Sequence, residues 1–301
     1  MLTIARHRLA GIVRRSPFLQ ALLYPAILLR RKLRNRPHEN RRRVLASVIP
    51  HFAEDPVLAV PEFEGNFQVD VRSHLFARLV LNGCYEPELA QACLAHLDPE
   101  RDAVDVGANV GFYSVLIGKH LSHGRRVLAI EPTANALRKL QKNIDRNDVR
   151  SKVVVYEGVV AQESGQLTIN TIAGKEEYSS VGPIEHPSVR GQLTSSYIVE
   201  ASKLDTLVET FGLNPGFVKI DVEGAEHQVF AGATNTLLKH RPVILSELTD
   251  SLLRKNGSSS DRVIAFLATL GYDVVNPLGG AQGVAGTGDF ETILCLPRSR
   301  R

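Results

Sequence analysis

The sequence predicts an α/β fold: a mostly parallel, doubly wound sheet with an antiparallel edge strand, preceded by a basic N-terminal helical arm. Three observations predict it. Short apolar runs rich in β-branched residues recur between residues 103 and 297, with amphipathic helical patterns between them, the sign of a parallel sheet covered on both faces. The first run leads straight into a glycine-bearing turn, VDVGANVGFYS (104–114), which reads as strand, tight turn, helix. The positive charge is concentrated at one end: residues 1–50 hold twelve Lys/Arg and one acid, about +11, so a chain of net charge +4 leaves residues 51–301 at −7.

Taken in order, RRSPFLQALLYPAILLRRKLRNRP (14–37) is the arm. Its apolar run, 17–29, is 13 residues long and contains Pro25, too short for the roughly 20 residues that span a bilayer. Arginines bracket it, a layout suited to lying on an anionic membrane face; a solvated basic helix packed on the body is the plainer alternative. RNRPHENRRR (34–43) reads as a linker, so that residues 1–50 form arm and linker and 51–301 the main domain. AVDVG (103–107) is the first strand and SVLIGKHL (114–121) continues its helix. RVLAIEP (126–132) is the second strand, stopped by Pro132, followed by a helix over 136–147. KVVVYEG (152–158) is the third. QLTINT (166–171) and SYIVEA (196–201) alternate like antiparallel strands inside an insertion of about 162–201. GFVKIDVEG (216–224) is the fourth strand and its exit, 229–240 a helix, RPVILSEL (241–248) the fifth strand, 261–272 a helix ending at Gly271, and FETILCLP (290–297) the last strand.

Composition excludes several classes. An odd count of cysteines (Cys84, Cys93, Cys295) without C-x-x-C spacing argues against a disulfide scaffold or a zinc site and favours a reducing cytosol. An acidic body without tryptophan is no nucleic-acid-binding core, and no nucleic-acid partner is expected.

The turn after the first strand is D-x-G-x-N-x-G. A dinucleotide loop needs G-x-G-x-x-G, and counting from Gly107 puts Asn109 and Phe112 where the second and third glycines belong. There is no phosphate-cradling G-x-x-x-x-G-K-[ST] either. Gly107 and Gly111 still open space against the backbone, and Asn109 can donate and accept. Glu131 ends the second strand, placed to accept from both hydroxyls of a ribose. An adenosine ligand without a pyrophosphate fits, S-adenosylmethionine among them; a structural turn is the alternative.

FVKIDVEGAEHQVFAGA (217–233) is the second constellation. Asp221 ends the fourth strand, and Glu223, Glu226 and His227 follow at helical spacings. Acids that merely stabilise a helix N-terminus account for Glu223 and Glu226 better than for Asp221. Glu247 ends the fifth strand, next to them.

VDVGANVGFYS, AIEPTANALRKLQKNIDRND, FVKIDVEGAEHQVFAGA and RPVILSE occur in this order, with GCYEPE (83–88) ahead of them. Together they resemble the FkbM-type methyltransferase family over about 76–247, and K-I-D-V-E-G-x-E is the most specific of them. The resemblance implies a class I methyltransferase-like (Rossmann-like) fold and S-adenosyl-L-methionine-dependent methyl transfer, commonly to a hydroxyl oxygen of a sugar or a secondary metabolite. It implies that Gly107, Asn109 and Gly111 line the cofactor, that Glu131 takes its ribose, and that Asp221 and Glu223 stand at the reacting end. Asp105 and Asp221 are further candidates for cofactor contact, and Tyr85 and Glu86 for closing over its methionine end, with simple packing as the alternative for the last two. Gln162 departs from the pattern, which has an acid or Asn there.

A hydroxyl acceptor calls for a general base. Asp221 is the first candidate and His227, whose ordinary pKa is near neutrality, the second. Asp221, Glu223 and Glu247 could instead hold Mg²⁺, which takes oxygen ligands. N-methylation of an amine and a non-catalytic cofactor-binding module are the competing functions. The expected setting is the cytoplasm, with a peripheral contact to anionic membrane through residues 1–43.

Overall fold

Strand-forming runs of two to eight residues build the sheets of the fold, and alternation along each decides what faces which layer. The structure is a computed structural model that describes residues 49–172, 179, 193–278 and 290–299. The basic arm and most of the polar stretch 173–192 lie outside the described residues. No helix among the described residues is long and apolar enough to cross a membrane.

The described residues fall into two compact units, one ending at Tyr85 and one beginning at Glu86. In the first, β1 (Val57–Val60) and β2 (Gly65–Gln68) pair antiparallel across a short 3-10 turn, and α1 (His74–Asn82) follows. Ser73 caps α1 by accepting the Phe76 N–H at 3.0 Å, satisfying a donor the helix cannot. Val57, Phe63, Phe67 and Phe76 are buried. The Tyr85 N–H donates to the Glu62 carboxylate, and the Arg78 guanidinium lies 4.6 Å from the centre of the Tyr85 ring.

The second unit opens with α2 (Pro87–His96) and is organised by a sheet of β3 (Asp102–Val106), β4 (Val127–Glu131), β5 (Val153–Glu157), β9 (Pro215–Ile220), β10 (Val243–Thr249), β11 (Tyr272–Val275) and β12 (Phe290–Pro297). Their order is β11-β12-β10-β9-β3-β4-β5. The five strands from β10 to β5 are mutually parallel, as the alternating pattern predicts. The antiparallel strand is β12, and it lies one place in from the edge: it pairs antiparallel with β10 on one side and with β11 on the other. A second sheet of β6 (Val159–Val160), β8 (Ser195–Ser202) and β7 (Gly165–Thr171) carries the predicted antiparallel pair.

Val104, Val106, Leu128, Ile130, Val218 and Ile220 turn to one face, where they join the core side chains of α5 (Leu204–Thr210), α6 (Glu226–Ala231), α7 (Thr234–His240), α8 (Asp250–Lys255) and α9 (Ser260–Thr269). Each such side chain, fully buried, contributes about 1.5–3 kcal/mol. The opposite face meets α3 (Phe112–His120) and α4 (Ala134–Arg146). Asp105 and Lys219 have the parity of that second face and are register partners on adjacent strands.

The helix expected over 229–240 is two helices. Gly232 lies so close to the Ala161 carbonyl oxygen that a Cβ would be 2.1 Å from it. The Gly232 carbonyl accepts from Asp205 N at 3.0 Å, outside any helix ladder. The Asp205 carboxylate then takes the N–H groups of Asn235 and Thr236 at 3.0 and 2.7 Å, which starts α7 as a separate helix.

Candidate active site

Successive connections lead from β3 outward to β4 and β5, and the chain then returns to β9 on the other side of β3. The crevice beyond the carboxyl ends of β3 and β9 is thus the topological switch point, where open α/β sheets bind ligands. Both constellations found in the sequence meet there.

The turn after β3 leaves the strand at Gly107, whose φ of 81° only glycine adopts at low cost. Its position is equally demanding, since a Cβ there would be 1.9 Å from the Asp221 carbonyl oxygen. The Asp221 N–H donates to the Val106 carbonyl at 3.0 Å, locking the two strand ends together. Gly107 and Ala108 both donate to the Ile130 carbonyl, at 3.0 and 2.9 Å, which ties the turn to β4. Asn109 is left-handed at φ 48°, and Gly111 at φ 92° caps α3. Asn143 on α4 holds the far side by donating to the Val110 carbonyl at 2.9 Å.

Glu131 ends β4 and is 6% exposed. Oε2 accepts the Asn109 N–H at 2.9 Å; Oε1 accepts the Thr133 N–H at 2.9 Å and its hydroxyl at 2.6 Å. These bonds fix the carboxylate against the turn, joining the two features that the sequence proposed separately.

Asp105 is buried on β3; Oδ2 accepts the Ser114 hydroxyl at 2.6 Å, and Oδ1 has no hydrogen-bond partner. Burial pushes its carboxyl above the usual range, opposed by Lys219 and the Ser114 bond. Lys219 is itself 7% exposed, its Nζ 2.9 Å from Asp221 Oδ2 and 4.8 Å from the centre of the Tyr113 ring. The Tyr113 hydroxyl donates to Glu86 Oε2 at 3.2 Å. Glu86, left-handed at φ 45° ahead of α2, thus stands on the same side as the Lys219–Asp221 pair. Tyr85 belongs to the other unit. Lys219, Tyr113 and Thr133 are side chains at the crevice that the sequence reading passed over. A lysine inside the apolar run GFVKI, two residues before Asp221, was the available signal for the first.

Asp221 therefore carries a cation already. Glu223 and Gly224 form a left-handed pair, φ 50° and 97°, at the exit of the turn. The Gly224 N–H donates to Glu226 Oε1 at 3.0 Å, and its carbonyl accepts from Asn256 Nδ2 at 3.0 Å. His227 does not join the acids: its Nδ1 is hydrogen-bonded to the Ser258 hydroxyl and its ring is 5.7 Å from that of Phe266. Burial, with Arg262 nearby, depresses its pKa. The helical spacing that put it on the face of α6 left its partner open, and the partner is the segment before α9. The Mg²⁺ alternative for Asp221, Glu223 and Glu247 gains no support. Among the described residues no group of three or more His, Cys, Asp or Glu could hold a metal ion, and the Lys219 ammonium sits on Asp221.

Burial pushes Glu226 up to about 7, against the backbone N–H groups of Gly224 and Glu226 that favour its charge. Its folded pKa thus exceeds the unfolded 4.5. Its contribution to stability is complete below 4.5 and is lost as pH rises through about 7. A Glu226→Gln variant will lose less stability between about pH 5 and pH 8 than the wild type, by about 2 kcal/mol, in urea denaturation at the two pH values. Equal losses in both proteins would show that Glu226 does not titrate this way.

The family model of the methyltransferase FkbM domain matches residues 105–274. No curated protein matches the chain. Among solved structures, similarity extends to methyltransferase FkbM from Methylobacillus flagellatus KT, at 19% identity, 66% of this chain, 44% of that one and a TM-score of 0.41. The chain thus spans less than half the length of that protein. It is also similar to M. jannaschii TYW2 in complex with AdoMet, at 14% identity over 81% of this chain and 85% of that one, TM-score 0.41. An O-methyltransferase from Bacillus cereus in complex with SAH matches at 13% identity over 69% and 78%, TM-score 0.35. The matched residues begin at Asp105, run through Glu131 and K-I-D-V-E-G, and end in β11, more than half of the sequence: the chain belongs to the FkbM methyltransferase family.

Proposed function

We propose that the chain is an S-adenosylmethionine-dependent O-methyltransferase whose acceptor is a hydroxyl on a sugar, a glycan or a secondary metabolite. The observation that carries the cofactor assignment is the union of turn and carboxylate at the switch point: Glu131, fixed by the Asn109 N–H and by Thr133. The fit is chemical. A buried, oriented carboxylate accepts from two vicinal hydroxyls, and the crevice has none of the glycine pattern that a pyrophosphate needs. When bound, S-adenosylmethionine supplies a methyl group on a cationic sulfur. In this reading Gly107, Asn109 and Gly111 shape the wall, Glu131 orients the ribose, and the acid-rich end formed by Asp221, Glu223 and Glu247 favours a cation. Alignment of the acceptor oxygen with the methyl group provides much of the acceleration. Family membership supports methyl transfer, and the oxygen acceptor rests on the carboxylates available to take a proton. A cytoplasmic setting with residues 1–43 resting on an anionic membrane face belongs to the same proposal, on charge placement alone.

The test is calorimetric titration of S-adenosylmethionine and, separately, NAD⁺ into the wild type and Glu131→Ala. Micromolar binding of S-adenosylmethionine is expected, none of NAD⁺, and affinity about 100-fold weaker in the variant, as two hydrogen bonds to a charged acceptor imply. NAD⁺ binding, or no S-adenosylmethionine binding, overturns the assignment.

A further inference from the structure

The acids just beyond the last β9–β10 pair are not equivalent, and their partners separate them. The Asp221 carboxylate is occupied by Lys219 at 2.9 Å. Glu226 is 2% exposed and accepts the Gly224 N–H. His227 is turned to Ser258. Glu247 differs from all three. It follows Ser246 on β10 as Asp221 follows Ile220 on β9, and Ser246 and Ile220 are register partners on parallel strands. The two carboxyl-bearing residues are therefore side-by-side neighbours on one face of the sheet, the face of Leu245 and Lys219. Across from Glu247, β12 presents the uncharged Thr292. Glu247 is half-buried, and its carboxyl makes no hydrogen bond or ion pair with any described residue.

We propose that Glu247, in place of Asp221, is the proton acceptor of the cleft, and that it sheds its own proton when a cationic methyl donor binds. This rests on the methyltransferase reading above. In the free protein Glu247 holds a proton, because burial and the surrounding carboxylates of Asp221, Glu86 and Glu223 push it up to about 9, with Lys219 alone opposing. A positive charge entering the crevice reverses that balance and releases the proton to solvent. The resulting carboxylate has no hydrogen-bond partner among the described residues. It takes the acceptor's hydroxyl proton while an oxygen lone pair forms the bond to the methyl carbon. The carbon–sulfur bond breaks with its electron pair on sulfur, leaving a methyl ether, a neutral thioether and a protonated Glu247. The product carries no cation at sulfur, so Glu247 ends in its resting state. Lys219 keeps Asp221 as a fixed counter-charge.

The test needs only the methyl donor. Calorimetric titration of S-adenosylmethionine at about pH 8, in buffers of different ionisation enthalpy, counts the protons released on binding. At that pH Glu226 is already ionised. The wild type is expected to release close to one proton more than Glu247→Gln, as a carboxyl passing from neutral to ionised requires. Glu247→Asp, which keeps an ionisable group, retains the release, whereas Asp221→Asn, which removes a charge that holds the proton on Glu247, lowers it. Equal release in wild type and Glu247→Gln overturns the proposal. Failure of the wild type to bind S-adenosylmethionine at all is the separate failure of the function on which the proposal rests.

Discussion

Replacing Lys219 by methionine is expected to cost about 3–5 kcal/mol of stability, the range for removing one partner of a buried ion pair. The side chain is of similar length, so lost packing contributes little. What is lost is the cation. Lys219 and Asp105 are adjacent in register, at 7% and 1% exposure, and Asp221 lies 2.9 Å from the ammonium. Burial alone would depress the Lys219 pKa, but Asp221, Asp105 and Glu86 more than reverse it, and the lysine stays charged well above its ordinary range. Without it, Asp105 must hold a proton or an uncompensated charge among apolar side chains, with Oδ1 already lacking a partner. Urea denaturation gives the single-variant loss, and Lys219→Met/Asp105→Asn tests its cause. The double variant should recover part of the stability, because one of the stranded charges has gone. A loss under about 1 kcal/mol in the single variant, in the range of an exposed pair, would mean that water reaches the network and screens it.

The parallel sheet was legible because each of its strands is a short apolar run whose neighbours in space are dictated by the alternation with helices. The crevice was legible for the same reason: Gly107, Glu131 and Asp221 each end a strand, and strand ends of one polarity gather on one side of the sheet. What escaped the sequence depends on contacts between distant segments. Nothing local marks Gly232 as the end of a helix. The break comes from the Ala161 carbonyl beneath it and from Asp205, nearly thirty residues earlier, which caps the next helix. The inset position of β12 is likewise a matter of pairing on both flanks. His227 shows the limit of periodicity at the site. Spacing placed it on the same short helix as Glu226, but the Ser258 hydroxyl and Phe266 decide where its ring goes. Lys219 was present in the quoted signature, but its part in charge balance follows only from the register of β3 against β9, which aligns it with Asp105.

Gly107→Ala is expected to be at least as damaging as the loss of Lys219, and a second glycine separates its two causes. Gly107 and Gly124 have nearly the same backbone conformation, φ 81° and 80°. A Cβ on Gly124 would meet nothing within 4 Å, so Gly124→Ala carries only the left-handed penalty, about 1–2 kcal/mol. A Cβ on Gly107 would carry the same penalty and also press on the Asp221 carbonyl oxygen at 1.9 Å and its carbon at 2.9 Å. Those atoms are backbone, and they cannot swing aside as a side chain can. Relief requires the ends of β3 and β9 to part, which breaks the Asp221 N–H bond to Val106 and shifts the carboxylate paired with Lys219. The expected loss is about 4 kcal/mol or more, in the range reserved for backbone strain combined with overpacking. S-adenosylmethionine binding should disappear with it. Thermal unfolding of the two alanine variants side by side decides the matter. Equal, small losses would mean that the close approach of Gly107 to Asp221 relaxes without cost, and the crevice would then not depend on contact between its two motifs.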